Sequence, residues 1–203
     1  MTERQFLITG MPRSGTRFMT ALFRSAGLSA SHEGLFGPLG PNKNVIKNVE
    51  SSWMSVPYLK EYKHQFKKII HITRHPLYVL ASLKRRNFFG RIMDKYDYFV
   101  WNHLKSIVMY DNSITAIIQF WIDWNKKIER YADVRVQIED INENKEKFFE
   151  NLGINIKGKE LYKNEKCNTD GETNPIDLGL LKTAGNYKLF KEKAKEYGYD
   201  LEP

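Results

Sequence analysis

Phe6-Leu7-Ile8-Thr9 is a short apolar run that stops at Gly10, and a helical pattern begins near Gly15. Phe18, Met19, Leu22, Phe23 and Ala26 then recur at helical spacing, and Gly27 follows as a C-terminal cap. This reads as buried strand, tight loop and helix. Glycines at i and i+5 let the backbone turn and approach a phosphate closely. The start of the following helix adds unpaired N–H groups and the positive end of its dipole.

The rest of the chain repeats the alternation. Leu28 to His32 reads as a second short strand, followed by a loop marked by Gly34, Gly37, Pro38, Gly40 and Pro41. Lys68 to Thr73 is a third strand, and Pro76 opens a helix carrying Leu77, Leu80 and Leu83. Lys84 to Tyr110 is aromatic, basic and less regularly helical. Ser113 to Tyr131 is a long amphipathic helix with Ile114, Ile117, Ile118, Trp121, Trp124 and Ile128 on one stripe. Asp133 to Ile138 alternates with period two as a strand, and Ile141 to Leu152 and Tyr187 to Tyr197 read as helices. Strands alternating with helices predict a three-layer α/β/α fold with a central, mostly parallel sheet, in one domain over residues 1–203. In such sheets ligands bind at the carboxyl ends of the strands, where the loops after Thr9, His32 and Thr73 converge.

Charge narrows the partner to an anion. The chain has 32 Lys+Arg against 24 Asp+Glu, a net charge of +8, which suits a nucleotide, a polyphosphate, nucleic acid or a membrane surface without choosing among them. Cys167 is the single cysteine, so an internal disulfide framework is excluded and a reducing compartment fits. Its polar surroundings make it a bystander. No apolar run approaches the roughly 20 residues of a membrane helix, and Met1 leads into a strand rather than a secretory leader. The predicted location is the cytoplasm. His64, His71 and His103 show no metal-ligand spacing with Cys167, and no metal is expected.

Gly10-Met11-Pro12-Arg13-Ser14-Gly15-Thr16-Arg17 matches half of the nucleotide-triphosphatase pattern G-x-x-x-x-G-K-[ST], so the fold is P-loop-like. Thr16 replaces the lysine that reaches the β- and γ-phosphates, and Arg17 replaces the magnesium-binding hydroxyl. Triphosphate chemistry thereby loses two of its working parts. Ser14 and Thr16 still offer hydroxyl donors and Arg13 and Arg17 offer charge, so a phosphate site persists with other chemistry. A nucleotide kinase on the same scaffold, or a non-catalytic nucleic-acid binder, are the competing classes.

Pro12-Arg13-Ser14-Gly15-Thr16 resembles the 5′-phosphosulfate loop of the sulfotransferase family, in which Lys or Arg precedes Ser-Gly-Thr. Ile72-Thr73-Arg74-His75-Pro76, with Ser82 eight residues after Arg74, resembles the family's 3′-phosphate element. Ser51-Ser52-Trp53, Trp121-Ile122-Asp123-Trp124-Asn125 and Val136-Gln137-Ile138-Glu139-Asp140 look like bacterial members, so the likeness covers roughly residues 5 to 140. The resemblance implies 3′-phosphoadenosine 5′-phosphosulfate as donor, adenosine 3′,5′-bisphosphate as product, and an unidentified acceptor hydroxyl or amine, on a carbohydrate or another small molecule. It implies Arg13 at the bridging oxygen and sulfuryl group, Ser14, Gly15, Thr16 and Arg17 on the 5′-phosphate, with Pro12 among the cofactor-binding residues of the same loop, and Arg74 and Ser82 on the 3′-phosphate. Neither a metal nor nucleic acid is called for.

Removal of the acceptor proton needs a base. His32-Glu33 closes the second strand facing the first loop. In carbohydrate-modifying relatives a Glu at the corresponding place is the base, which favours Glu33 and leaves His32 second; capping the loop or pairing with Arg13 or Arg17 are the competing structural roles. Gly185-Asn186-Tyr187-Lys188 resembles a C-terminal family loop that covers the nucleotide, but Asn186 stands where an Arg is usual, leaving Lys182 or Lys188 to supply the charge. Trp53 suits either adenine stacking or the core. Lys84 to Phe89 suits either an acceptor surface or a helix end with its cations at the dipole.

Overall fold

The computed structural model describes residues 4–90, 94–107, 113–163 and 174–202, which leaves Cys167 outside. In chain order the elements are β1 (Arg4–Gly10), α1 (Thr16–Ser25), β2 (Ala30–His32), β3 (Phe36–Gly37), β4 (Gly40–Pro41), β5 (Val49–Ser51), α2 (Leu59–Tyr62), β6 (Phe66–Thr73), α3 (Pro76–Arg85) and α4 (Lys95–His103). They continue with α5 (Ser113–Glu129), β7 (Val134–Gln137), α6 (Ile138–Glu143), α7 (Lys145–Asn151), α8 (Leu178–Lys182) and α9 (Tyr187–Glu196). Among the described residues the sheet order is β2-β5-β1-β6-β7, and every neighbouring pair is parallel. The protein is an α/β fold with a central parallel sheet flanked by helices, as the alternation of strand and helix patterns predicts. No described helix is long and apolar enough to cross a membrane.

The chain divides into two compact units, one taking the chain up to Arg74 and again from Ile128, the other taking His75–Lys127 and the C-terminal helices. The first unit holds the whole sheet. β1 lies inside it, bonded to β5 on one edge and to β6 on the other. The apolar stripe of α1 packs on this sheet: Phe18, Met19, Leu22 and Phe23 join Ile8, Ile70 and Ile72 in a buried cluster completed by Phe148 and Phe149 of α7. Phe23 meets Phe149 edge-on at 5.3 Å, the favoured geometry for aromatic quadrupoles. α1 ends where the sequence says it should. Gly27 has φ +87, its N–H reaches the Arg24 carbonyl at 2.9 Å, and the Leu28 N–H reaches that of Phe23 at 3.0 Å, satisfying carbonyls the helix leaves open.

The second unit is built on α5, whose Trp121 meets Phe190 of α9 at 5.2 Å and whose Phe120 stacks on Phe88 at 6.1 Å. α4 is opened by a reciprocal cap between Asp94 and Asp97. The Lys84–Phe89 stretch proves to be the end of α3: Lys84 and Arg85 lie in its last turn, and left-handed backbone at Asn87 and Phe89 stops the helix.

Four local readings need correction. β5 falls where no strand is predicted and inserts between β2 and β1; three residues with Glu50 at the centre carry no period-two signal. The loop at Gly34 to Pro41 contains the β3–β4 hairpin. The helix expected at Ile141 to Leu152 starts earlier and breaks at Asn144, which leaves the helical region with φ −133 and ψ 59. The short α8 is also unanticipated.

Candidate active site

β1 delivers the loop Gly10–Gly15 at the carboxyl edge of the sheet. At its root Gly10 sits beside Ile72 of β6, and a Cβ there would lie 2.4 Å from the Ile72 carbonyl oxygen, so a larger residue would force the two strands apart. Arg13 has φ 74 and Gly15 φ 100. Left-handed residues of this kind turn backbone amides into concavities that hold anions. Gly15 is the N-cap of α1; no side chain caps the helix and no acidic residue lies in its first turn. The orphan amides of that turn thus face no carboxylate of their own, which fits an incoming phosphate.

The side chains around the loop come from neighbouring strands. Pro12 and Ser14 are buried, Arg13 is half-buried and Arg17 exposed. Arg74, leaving β6, donates from Nη1 to the Arg13 carbonyl at 3.3 Å, which sets its guanidinium at the rim of the loop. Thr16 is fixed on both sides: the Ser51 hydroxyl donates to its carbonyl at 2.8 Å, and its own Oγ1 lies 3.1 Å from Nε2 of His32. His32 Nε2 is 3.6 Å from a Glu33 carboxylate oxygen. His32 therefore lies between Thr16 of α1 and the Glu33 carboxylate.

The electrostatics separate these two candidates. Burial, reinforced by Arg17 and then Arg24, pulls the His32 pKa from 6.5 down to about 4. The ring is neutral at neutral pH and a weak proton acceptor, since general bases work best with a pKa near the operating pH.

No protein-family model matches this chain, and no curated protein matches it. Among solved structures it is similar to mouse sulfotransferase SULT7A1 complexed with PAP, at 18% identity and a TM-score of 0.42. That likeness covers 76% of this chain and 59% of the mouse chain, so the present chain spans well under two thirds of the structure it resembles. At that level the functional reading is left to the residues themselves.

The remaining sequence candidates fall in the second unit. Ser82 is 2% exposed on α3. Lys188 is exposed on α9. Lys182 is paired with Glu202 at 2.7 Å, and Asn186 donates to the Thr115 carbonyl and the Gln119 side chain, both at 3.1 Å, so it ties α9 to α5. Trp53 is 5% exposed and belongs to the core. Among the described residues no cluster of three His, Cys, Asp or Glu side chains is arranged to hold a metal. Two residues near the site are given no role by the sequence reading: Glu50, and Ser51, which enters it only within the Ser51-Ser52-Trp53 likeness. Their one signal is a charge set among small and apolar neighbours in Val49-Glu50-Ser51-Ser52-Trp53.

Proposed function

We propose that this chain is a sulfotransferase that moves a sulfuryl group from 3′-phosphoadenosine 5′-phosphosulfate to a hydroxyl or amine of a carbohydrate or other small acceptor. The observation that carries the reading is the approach of the Arg74 guanidinium to the Arg13 carbonyl, which brings a cation from the end of β6 to the amide-lined loop after the adjacent β1, a loop without a P-loop lysine. Such a site suits a nucleotide bearing phosphates at both ends of its ribose. The motif likeness at Pro12–Thr16 and at Arg74 supports the same donor.

In this reading the amides of Gly15 and Thr16 and the hydroxyls of Ser14 and Thr16, with Arg17, bind the 5′-phosphate, while the Ser14 N–H is held by the Met11 carbonyl at 3.1 Å. Arg74 takes the 3′-phosphate. Arg13 stabilises charge on the bridging oxygen as its bond to sulfur breaks. Glu33 accepts the acceptor's proton as the new oxygen–sulfur or nitrogen–sulfur bond forms. His32, held neutral, bonds Thr16 and lies beside Glu33 without taking the proton itself. Calorimetric titration tests the assignment: adenosine 3′,5′-bisphosphate should bind without added metal, and ATP with Mg²⁺ at least about tenfold more weakly. The reverse order would favour a nucleotide kinase.

A further inference from the structure

Glu50 is a buried charge that the proposed chemistry leaves unused. It lies mid-β5, 1% exposed, with Ser31 of β2 opposite in register on one side and Leu7 of β1 on the other. A carboxyl in such a place is costly unless hydrogen bonds compensate it. Here the Ser31 hydroxyl donates to Oε2. Oε1 has no partner at hydrogen-bonding distance, while the amides of Leu35, Phe36 and Gly34 face the group. Burial raises its pKa, and Ser31 and these amides offset part of the rise, which favours the neutral acid.

The residues it faces are the turn that carries the proposed base. β5 grips this turn at two further points: the Glu33 N–H donates to the Ser51 carbonyl at 3.1 Å and the Ser52 hydroxyl to the Phe36 carbonyl at 3.0 Å. Gly34 approaches Ser31 so closely that a Cβ would lie 2.9 Å from the Ser31 Cβ. Glu33 itself has φ 53, left-handed backbone that a non-glycine residue keeps only when its surroundings enforce it.

We propose that Glu50 is a positioning residue: through Ser31 and the Gly34–Phe36 backbone, its buried carboxyl fixes the turn that presents Glu33 and His32 beside the phosphate loop. The inference rests on the reading of Glu33 as the base.

The test uses the full chain with 3′-phosphoadenosine 5′-phosphosulfate and water as acceptor, reading release of adenosine 3′,5′-bisphosphate and sulfate beside calorimetric affinity for the bisphosphate. Glu50→Leu should slow release by about tenfold or more with affinity held within about twofold, because misplaced groups cost rate before they cost binding. Glu50→Gln, which keeps the shape and an accepting oxygen, should stay within about threefold of the parent. Ser31→Ala should move release in the same direction as Glu50→Leu and serves if that variant does not fold. Unaltered release in Glu50→Leu or Ser31→Ala, or equal losses in the Gln and Leu variants, overturns the proposal. A parent chain that neither binds the bisphosphate nor turns over the donor defeats the donor reading instead. In that case the His32 ring signals in NMR decide: its titration should move from about 4 toward 6.5 in Glu50→Leu or Ser31→Ala as the turn loosens, and an unmoved titration overturns the role of Glu50.

Discussion

His32 links chemistry to stability. Its folded-state pKa of about 4 lies below the unfolded value of 6.5. Above pH 6.5 neither state binds a proton there; between 6.5 and 4 the unfolded chain takes one up and the folded chain does not. Stability is therefore lost as pH falls across that window, by on the order of 2 kcal/mol from this residue. Urea midpoints of the parent and His32→Gln at pH 7 and pH 4.5 measure it, and the variant should show the shallower decline. Parallel declines would mean that the ring titrates normally.

At the level of elements, the proposed phosphate site draws on two strands, β1 leading into the loop amides and β6 into Arg74. Arg74→Ala should weaken adenosine 3′,5′-bisphosphate by about tenfold or more while adenosine 5′-monophosphate changes little, since a charge-assisted contact to one phosphate is worth about 1.5–3 kcal/mol. Calorimetry with both ligands checks this, and equal losses would remove Arg74 from the 3′-phosphate. Long or strongly periodic elements were legible in the sequence: α1 and α3 show a 3.6-residue stripe because one face of each is buried, α5 is apolar enough to be found although it is buried on most sides rather than along one stripe, and β1 and β6 show continuous apolar runs because both of their faces are covered. β5 was not legible, because a three-residue strand with a central Glu50 depends on its neighbours rather than on its own pattern. The same holds for the site. The loop from Gly10 to Arg17 and the ends of β2 and β6 announce themselves by residue type, whereas Ser51 and Glu50 act through register, which only the folded sheet reveals.

The molecule as a whole carries a net charge of +8, and that field acts on any anionic ligand beyond the contacts it finally makes. Raising ionic strength from about 50 mM to about 500 mM should weaken bisphosphate affinity by several-fold, as the screening length falls from above ~10 Å to a few ångströms. Titrations at three salt concentrations measure this; an affinity indifferent to salt would mean that the charge lies where the ligand does not feel it. β1, bonded along both edges, has a further consequence. The loop proposed to receive the anion springs from an interior strand, so the direction of its amides is settled when the chain folds rather than when the guest arrives. Loosening β1 at Phe6, four residues before Gly10 along the strand, is then felt as poorer capture, because the guest would have to organise its own receptacle.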